Sequence, residues 1–470
     1  MTKASAKSFR TAVASLLAVT GVLQAGTAHA QRIPQIQDTE IEALLADYAR
    51  PILEKAGLGG GRIRVRIINN PTFNAFVIDG RNIYVHTGTL MSSTTPNQVI
   101  GVLAHETGHI TAAHISALRN QATTLQNRSL LLQLLGIGLM VGGAFAGGSS
   151  GTGIGGAGQA VAAGGSETLM RAFLLERQAQ ESAADQAGLD LLRRSGQSGR
   201  GMLETFERLA DDNRYTLGEN YRRTHPLERT RIALLREGVQ KSPHMGVTDS
   251  PELQARHDMM RAKLAGYLKS PQDVLNSYPA TDTSVGARYA RSIARLRQGQ
   301  SGGMTAGLAE IEALIKDRPN NPYFYEVKAD FLMKAGQPAK AVAPLRKAVE
   351  LMKSAPQLEV MLAKAIVESG EVSQTDEAIN RLRNALRAED EADKDAGTFI
   401  DAYRLLSQAY GAKQQIAEAN LMQAEVEVRL GDFKRAKERA AIAQQNLKQG
   451  SPAWLRADDI INISPPRQQE

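Results

Sequence analysis

The sequence predicts a mainly α-helical protein with a small β-sheet in its first third and an α-solenoid of repeated helices at its C-terminal end. Apolar residues recur at helical spacing along most of the 470 residues. Residues 62–68 instead alternate between basic and apolar side chains, and the segments 75–78 and 82–86 flank a turn, as short strands do. From about residue 285, helical segments recur at a fixed distance, which indicates a repeat architecture.

The first thirty residues have the pattern of a cleavable export signal. Three basic residues precede an apolar run at 12–23, and a small-x-small site ends at Ala30. An N-terminal membrane anchor is the alternative, but the run is shorter than the ~20 residues that span a bilayer. We expect cleavage after Ala30, which makes Gln31 the first residue of the exported protein.

The composition excludes several kinds of site. The chain has no cysteine, so disulfides, thiol catalysis and thiolate metal sites are ruled out, and a transition metal must be bound by histidine and carboxylate. The formal net charge of +7 includes three charges of the signal segment. What remains is too mildly basic to predict nucleic-acid binding, although it could favour weak contact with an anionic lipid surface.

The front part of the chain predicts a helix, a strand, a hairpin and a second helix. These elements are expected at 38–58, at 62–68, at 75–78 and 82–86 around the Asp79-Gly80 turn, and at 96–119. Helical pattern resumes from about Thr168 to beyond Leu192, is broken by Ser195-Gly196 and the polar stretch 211–225, and gives way to a charged linker near 240–255.

The helix expected at 96–119 carries His105-Glu106-Thr107-Gly108-His109. Residues four apart lie on one face of a helix, so His105 and His109 can bind one metal ion, and Glu106 can reach a water molecule beside it. Glu106 could then act as the general base of a metal-dependent peptidase. The alternative is an ordinary helix, because a five-residue pattern also arises by chance.

A third ligand is expected on the next long helix. Ile115 occupies the position at which a metzincin would have its third histidine, and His114 points away from the metal face, so we interpret His114 as structural. Glu181 is the better candidate, with Asp185 one turn later as the partner that orients a ligating histidine. Small side chains at 182–184 would let the two helices approach closely. A plain charged helix is the alternative.

The C-terminal part predicts tetratricopeptide repeats. Helical segments end at Gly336 and Gly370, which are 34 residues apart, and a second helix follows each glycine. A further pair is expected at 421–431 and 433–447, and Gly299 suggests a degenerate first repeat. A generic helical bundle is the alternative.

Four motifs in this order resemble the HtpX-like zinc metallopeptidases. They are Asn74-Ala75-Phe76, His105-Glu106-x-x-His109, Glu181-x-x-Ala184-Asp185 and Thr224-His225-Pro226-Leu227. The resemblance covers residues 40–240 and implies a zincin-type fold. Together with the export signal and the repeat pattern, it predicts this domain organisation: signal peptide 1–30, zinc metallopeptidase domain 31–250, linker or helical connection 251–284, and tetratricopeptide-repeat domain 285–470.

The resemblance also implies the role of each site residue. His105, His109 and Glu181 match ligands of one zinc ion, and Glu106 matches the catalytic base. His225 matches a histidine on a mobile loop that either occupies the open metal position and keeps the enzyme inactive, or assists catalysis once displaced. Arg231 either polarises the scissile carbonyl or orients that loop. The strand that begins with Asn74, Ala75 and Phe76 would pair with an extended substrate.

No charged residue lies between Arg128 and Glu167, and Leu130–Gly147 is long enough to span a membrane. A single span is excluded because His109 and Glu181 must meet at one metal. An apolar loop or hairpin at 129–165 that contacts a membrane surface or a β-barrel partner fits better. A lid buried on the enzyme itself fits equally well.

For function, the resemblance implies a periplasmic zinc endopeptidase with a chaperone-like role. Its substrates would be unfolded or misassembled outer-membrane β-barrel proteins, and its repeats would bind the barrel-assembly machinery. A second hypothesis is a scaffold or chaperone whose peptidase is held latent by His225. A third is an integral membrane protease inserted through 129–165.

Overall fold

A computed structural model describes residues 35–61, 63–78, 80–112, 166–211, 218–299, 302–352, 355–388 and 397–464. These residues form a mainly α-helical fold with one small mixed sheet, as the sequence predicts. The signal segment 1–30, His114 and the apolar segment 129–165 lie outside them. Within the described ranges, no helix is both long and apolar enough to cross a membrane.

The first part of the chain contains four strands and nine helices in the described ranges. The strands are β1 (Gln35–Ile36), β2 (Arg64–Ile68), β3 (Ala75–Val77) and β4 (Asn82–His86). The helices are α1 (Thr39–Lys55), α2 (Thr87–Ser92), α3 (Pro96–Thr111), α4 (Ser166–Arg194), α5 (Arg200–Asp211), α6 (Glu219–Thr224), α7 (Arg229–Gln240), α8 (Pro251–Leu268) and α9 (Pro271–Ser277).

The sheet has the strand order β1-β2-β4-β3. Strands β3 and β4 form the predicted antiparallel hairpin, and β2 pairs with β4 in parallel. The short strand β1, which the sequence did not predict, pairs with β2 in the antiparallel direction. One face of the sheet contributes to the hydrophobic core that α1 and α3 also enter. Strand β3 therefore lies at one edge of the sheet in the part of the chain that the structure describes.

Two helices fix the frame of this domain. Helix α1 begins at an Asp38 cap, whose carboxylate accepts a hydrogen bond from the N–H of Ile41 at 2.9 Å. Helix α3 begins with Pro96, a residue favoured in the first helical turn. Most of α3 is buried, with Val99, Val102 and Leu103 inaccessible to solvent. The helix that bears the histidine motif is thus a core element.

Two expectations about irregular segments need correction. The polar stretch 211–225 contains the short helix α6, which turns its buried Tyr221 inward. The charged linker expected at 240–255 is shorter, because α8 already begins at Pro251 after a Ser250 cap. Both helical segments were missed because they carry few apolar residues, so they show little of the apolar periodicity that predicts a helix.

The second part of the chain is a series of helices that each pack against their neighbours in sequence. They are α10 (Val285–Arg297), α11 (Gly303–Asp317), α12 (Pro322–Lys334), α13 (Pro338–Leu351), α14 (Pro356–Ser369), α15 (Thr375–Ala388), α16 (Gly397–Ala412), α17 (Ile416–Leu430), α18 (Phe433–Asn446) and α19 (Pro452–Ile461). This order of adjacent helices is that of a solenoid.

Each of the glycines that suggested the repeats follows the end of a helix, and each has a positive φ. The angles are 75° at Gly299, 68° at Gly336, 76° at Gly370 and 82° at Gly431, a conformation that favours glycine. Helix α16 was not predicted, so three α-helices rather than two lie between Gly370 and Gly431 in the described ranges. The tetratricopeptide class and the domain boundaries stay predictions.

A buried lysine joins the two parts. Lys263 of α8 is 2% exposed, and its Nζ lies 2.8 Å from Asp38 Oδ2, 3.2 Å from Glu40 Oε2 and 3.4 Å from Glu326 Oε2. Burial lowers the pKa of Lys263, but Asp38 and Glu326 outweigh this effect and raise the pKa well above its usual range. Tyr289 of α10 donates a hydrogen bond to Glu40 at 3.1 Å.

Candidate metal centre

Helix α3 places its two histidines on one face, as their spacing predicts. His105 is fully buried and His109 is partly buried, and their Nε2 atoms lie 3.2 Å apart. Glu106, between them in sequence, is 1% exposed. The side chains that carry the predicted chemistry are therefore held on a rigid core helix.

Helix α4 crosses α3 in close contact and brings two carboxylates to the histidines. Glu181 Oε2 lies 3.4 Å from His105 Nε2, and Glu181 Oε1 lies 3.5 Å from His109 Nε2. Asp185, one turn further along, accepts a hydrogen bond from His105 Nδ1 at 2.9 Å. The two helices approach closely, as predicted, because the backbone of Ala184 lies against Gly108. Of the three small residues at 182–184, however, only Ala184 is buried, whereas Ser182 is half-buried and Ala183 is exposed.

His225 enters the centre from the end of α6. Pro226 follows it and disfavours a helical conformation in the preceding residue, and His225 accordingly has φ −131° and ψ 83°. Its Nδ1 lies 3.3 Å from His105 Nε2 and 3.0 Å from Glu181 Oε2. The histidine predicted from the Thr-His-Pro-Leu motif thus lies among the other candidate ligands.

One ligand atom from each of His105, His109, Glu181 and His225 lies within 4.8 Å of all the others. The shortest separations between these atoms run from 3.0 to 3.5 Å. A tetrahedral zinc ion with bonds of ~2.0 Å holds its ligand atoms roughly 3.3 Å apart. The size of the cluster therefore fits one such ion.

The donor chemistry fits a cation as well. The Nδ1–H of His105 is engaged by Asp185, so Nε2 of the neutral ring turns its lone pair toward His109 and the Glu181 carboxylate. Converging lone pairs need a proton or a metal ion between them. Burial lowers the pKa of His105, but Asp185 and Glu181 outweigh it and raise this pKa to about 10.

Arg231 of α7 supports the two carboxylates. It binds Asp185 in a fork, with Nε 2.8 Å from Oδ2 and Nη2 2.9 Å from Oδ1, and its Nη1 lies 3.2 Å from Glu181 Oε2. The same Nη1 donates to the carbonyl oxygen of Pro226. Burial raises the pKa of Asp185, but His105 and Arg231 outweigh it, so the net shift of this pKa is downward.

Two buried polar atoms in the centre have no hydrogen-bond partner in the described part of the chain. They are Glu106 Oε1 and His225 Nε2, which lie 3.6 Å apart, too far for a hydrogen bond. Burial raises the pKa of Glu106, opposed by His225 and His105. A carboxylate of raised pKa beside a divalent metal is suited to accept and return a proton.

The predicted substrate strand reaches the centre through Asn74. The hydroxyl of Thr224, next to His225, donates to Asn74 Oδ1 at 3.4 Å, and Asn74 Nδ2 is buried without a partner in the described ranges. Ala75 and Phe76 continue into β3, where Phe76 stacks on Tyr84 with ring centroids 5.4 Å apart. The motif thus connects the sheet edge with the loop of His225.

Three contacts of the centre were missed by the sequence analysis. Tyr221 stacks on His225, with ring centroids 4.6 Å apart and an interplanar angle of 28°. Phe206 meets His105 edge to face at 5.4 Å, and Arg177 donates to the carbonyl oxygen of Thr224. The only available signal was the four-residue spacing between Tyr221 and His225, in a stretch interpreted as a break.

Residues 35–239 match the model of peptidase family M48. The chain is 23% identical over 466 positions to the Beta-barrel assembly-enhancing protease of Escherichia coli strain K12, with 91% of each chain covered. It is 24% identical over 391 positions to the protein of the same name from Yersinia pestis, covering 80% of this chain and 78% of that one. It is 28% identical over 183 positions to Metalloprotease LoiP of Escherichia coli strain K12, covering 37% of this chain and 66% of that one.

Proposed function

We propose that this metalloprotease, whose residues 35–239 match the model of peptidase family M48, is a zinc endopeptidase acting on outer-membrane β-barrel proteins in the periplasm. The observation that carries the proposal is the convergence of His105, His109 and Glu181 beside Glu106. Two histidines and one carboxylate with a further open position are the usual ligand set of zinc peptidases.

His105, His109 and Glu181 would hold one zinc ion per chain. When bound, the ion lowers the pKa of water and polarises a carbonyl group. Glu106 takes the proton of the attacking water and returns it to the nitrogen of the departing amine. Asp185 fixes the orientation of the His105 ring, and Arg231 holds Asp185 and Glu181 in register.

The position of strand β3 supports an endopeptidase rather than an exopeptidase. It is three residues long and lies at a sheet edge in the described ranges. An extended substrate can add to such an edge through main-chain hydrogen bonds, which read no particular sequence. We propose that the segment from Asn74 to Phe76 aligns the substrate next to Glu106.

The choice of substrates rests on the relatives. This chain aligns along 91% of its length with a protein named Beta-barrel assembly-enhancing protease, and the alignment includes the helical second part. We propose that the helices from Val285 to Ile461 bind the barrel-assembly machinery. Export to the periplasm follows from the predicted signal peptide.

A second candidate function is a chaperone or scaffold with a latent peptidase. It is favoured by His225, whose Nδ1 lies among the ligand atoms while its Nε2 faces Glu106. In that position His225 would fill the place at which a substrate carbonyl or a water molecule must bind. Displacement of His225 would then be the step that activates the enzyme.

The test combines metal content by mass spectrometry with digestion of an unfolded β-barrel precursor. We expect about one zinc per chain in the wild type and in Glu106→Gln, and a 10²- to 10⁴-fold loss of cleavage in Glu106→Gln. His225→Ala should keep the zinc and cleave faster. Glu252→Gln, at an exposed position of α8, is the matched control and should behave as wild type.

Digestion that does not depend on Glu106, or purified protein that binds no zinc, would overturn the peptidase proposal. If the Glu106→Gln variant assists barrel assembly as well as the wild type does, the result would favour the chaperone function.

A further inference from the structure

We infer that Tyr221 is a positioning residue that holds His225 inside the metal centre, so that the stack of these two rings sets the balance between the closed and the open peptidase. The inference rests on the proposed function, because it takes His225 to be the group that closes a zinc site. The ring centroids are 4.6 Å apart and the planes are inclined by 28°, which is a stacked pair.

Tyr221 controls His225 through the backbone as well as through the ring. The N–H of His225 donates to the carbonyl oxygen of Tyr221 at 2.6 Å, which is the last hydrogen bond of helix α6. The four-residue spacing brings the two side chains to one side of the chain. A displacement of the His225 ring must therefore separate the two rings, and a displacement of its backbone must also break the end of helix α6.

Tyr221 is itself packed within an aromatic cluster. It is fully buried, Phe73 meets it edge to face at 5.4 Å, and Phe206 lies 5.8 Å away. Phe206 also meets the ring of His105 edge to face. We call the stack of Tyr221 on His225 the clamp. Through Phe206, the clamp is connected to His105, a candidate metal ligand on α3.

The hydroxyl of Tyr221 contributes little to this clamp. It is buried without a hydrogen-bond partner in the described part of the chain, and an unpaired buried hydroxyl is unfavourable. The ring alone holds His225, so Tyr221→Phe should preserve the closed state. Tyr221→Leu keeps apolar bulk but removes the stack, which should shift the closed-to-open ratio by roughly 3- to 10-fold.

The experiment compares Tyr221→Leu and Tyr221→Phe with the wild type and His225→Ala. The full-length proteins are loaded with Co²⁺, and their absorption spectra and rates of metal loss to a chelator are measured. We expect Tyr221→Phe to match the wild type, and Tyr221→Leu to approach the spectrum of His225→Ala and lose metal about 3- to 10-fold faster. Phe331→Leu is the control and should match the wild type, because it removes another aromatic stack, with Tyr267 at 6.1 Å, in a hydrophobic cluster that contains none of the candidate ligands.

A readout without metal checks the geometry itself. In metal-free wild-type protein, the ring-proton resonances of His225 should lie upfield through the ring current of Tyr221, remain so in Tyr221→Phe and move downfield in Tyr221→Leu. If Tyr221→Leu fails to fold, Tyr221→Met takes its place. If neither variant folds, the upfield position of the His225 resonances in the wild type and in Tyr221→Phe still tests the stack.

The two proposals can fail separately. If His225→Ala has the spectrum and metal-loss rate of the wild type, His225 does not close the site, and the proposal that it gates the enzyme is wrong. If His225→Ala changes both while folded Tyr221→Leu matches the wild type, the clamp is wrong and the gate stands. An unshifted His225 resonance in the wild type also overturns the clamp.

Discussion

A side-chain carbon on Gly108 would lie 2.5 Å from the carbonyl oxygen of Ala184, so the backbones of α3 and α4 touch within the His105–His109 turn. On α4, a carbon added to Gly188 would lie 3.1 Å from the backbone of Ala104 and His105. The distance between the histidines and Glu181 is therefore set by two glycines at the helix crossing.

Gly108→Ala should push α3 and α4 apart and weaken metal binding and stability together. Overpacking of this kind costs about 1–3 kcal/mol, and we expect a clear fall in the urea midpoint and in metal content. Gly411→Ala is the control, because Gly411 lies in helix α16 with nothing within 4 Å of an added carbon. That variant should be neutral or up to about 1 kcal/mol more stable. Full metal content in Gly108→Ala would contradict the prediction.

Asp185→Asn should leave the fold intact but reduce metal affinity about 10- to 100-fold. The amide is a poorer acceptor for the Nδ1–H of His105 and loses the charge that binds Arg231. Competition with a fluorescent zinc chelator measures the affinity. Asp190→Asn, at an exposed site on the same helix, should bind metal as the wild type does, and equal affinities for both variants would refute the role of Asp185.

Lys263→Met should destabilise the protein by about 3–5 kcal/mol, because it leaves the buried Glu40 and the half-buried Asp38 and Glu326 without their common cation. Equilibrium unfolding in urea gives the value. Lys241→Met removes a lysine of an exposed pair with Glu237 and should change stability by less than about 1 kcal/mol. Similar effects of the two substitutions would show that the buried cluster contributes no more than a surface ion pair.

His257 should make the protein less stable in mild acid. The hydroxyl of Tyr48 donates to its Nδ1 and its Nε2–H donates to the carbonyl oxygen of Ser93, both at 2.9 Å. Burial lowers the pKa of His257 to about 4. Since the pKa in the unfolded chain is about 6.5, the stabilisation is present above pH 6.5 and is lost as the pH falls toward 4.

The matching variant is His257→Gln, which cannot take up this proton. Between pH 7 and pH 5 the wild type should lose about 2 kcal/mol more unfolding free energy than the variant. The other titrating groups are common to both proteins, so the difference isolates His257. An equal loss in the two proteins would show that the pKa of His257 is the same in the folded and the unfolded protein.

The sequence was most informative where local spacing determines geometry. The four-residue intervals of His105–His109 and Glu181–Asp185 predict shared helix faces, and the Asp79-Gly80 turn predicts the hairpin of β3 and β4. The partners of Lys263 were not predictable, since a lysine and carboxylates far apart in sequence carry no sign that they will meet. Helix α6 was missed because its six residues show too little apolar periodicity.

Adjacent methionines of α8 belong to different hydrophobic cores. Met260 and Leu264 pack with the sheet-containing part, whereas Met259 packs with Tyr289 and Phe324 of the later helices. A chain truncated near residue 250 would expose the apolar surface that Met260 and Leu264 cover. The two halves are consequently not modules that recombination can exchange at their apparent junction, and a transplanted catalytic half would need to carry α8 with it to fold autonomously.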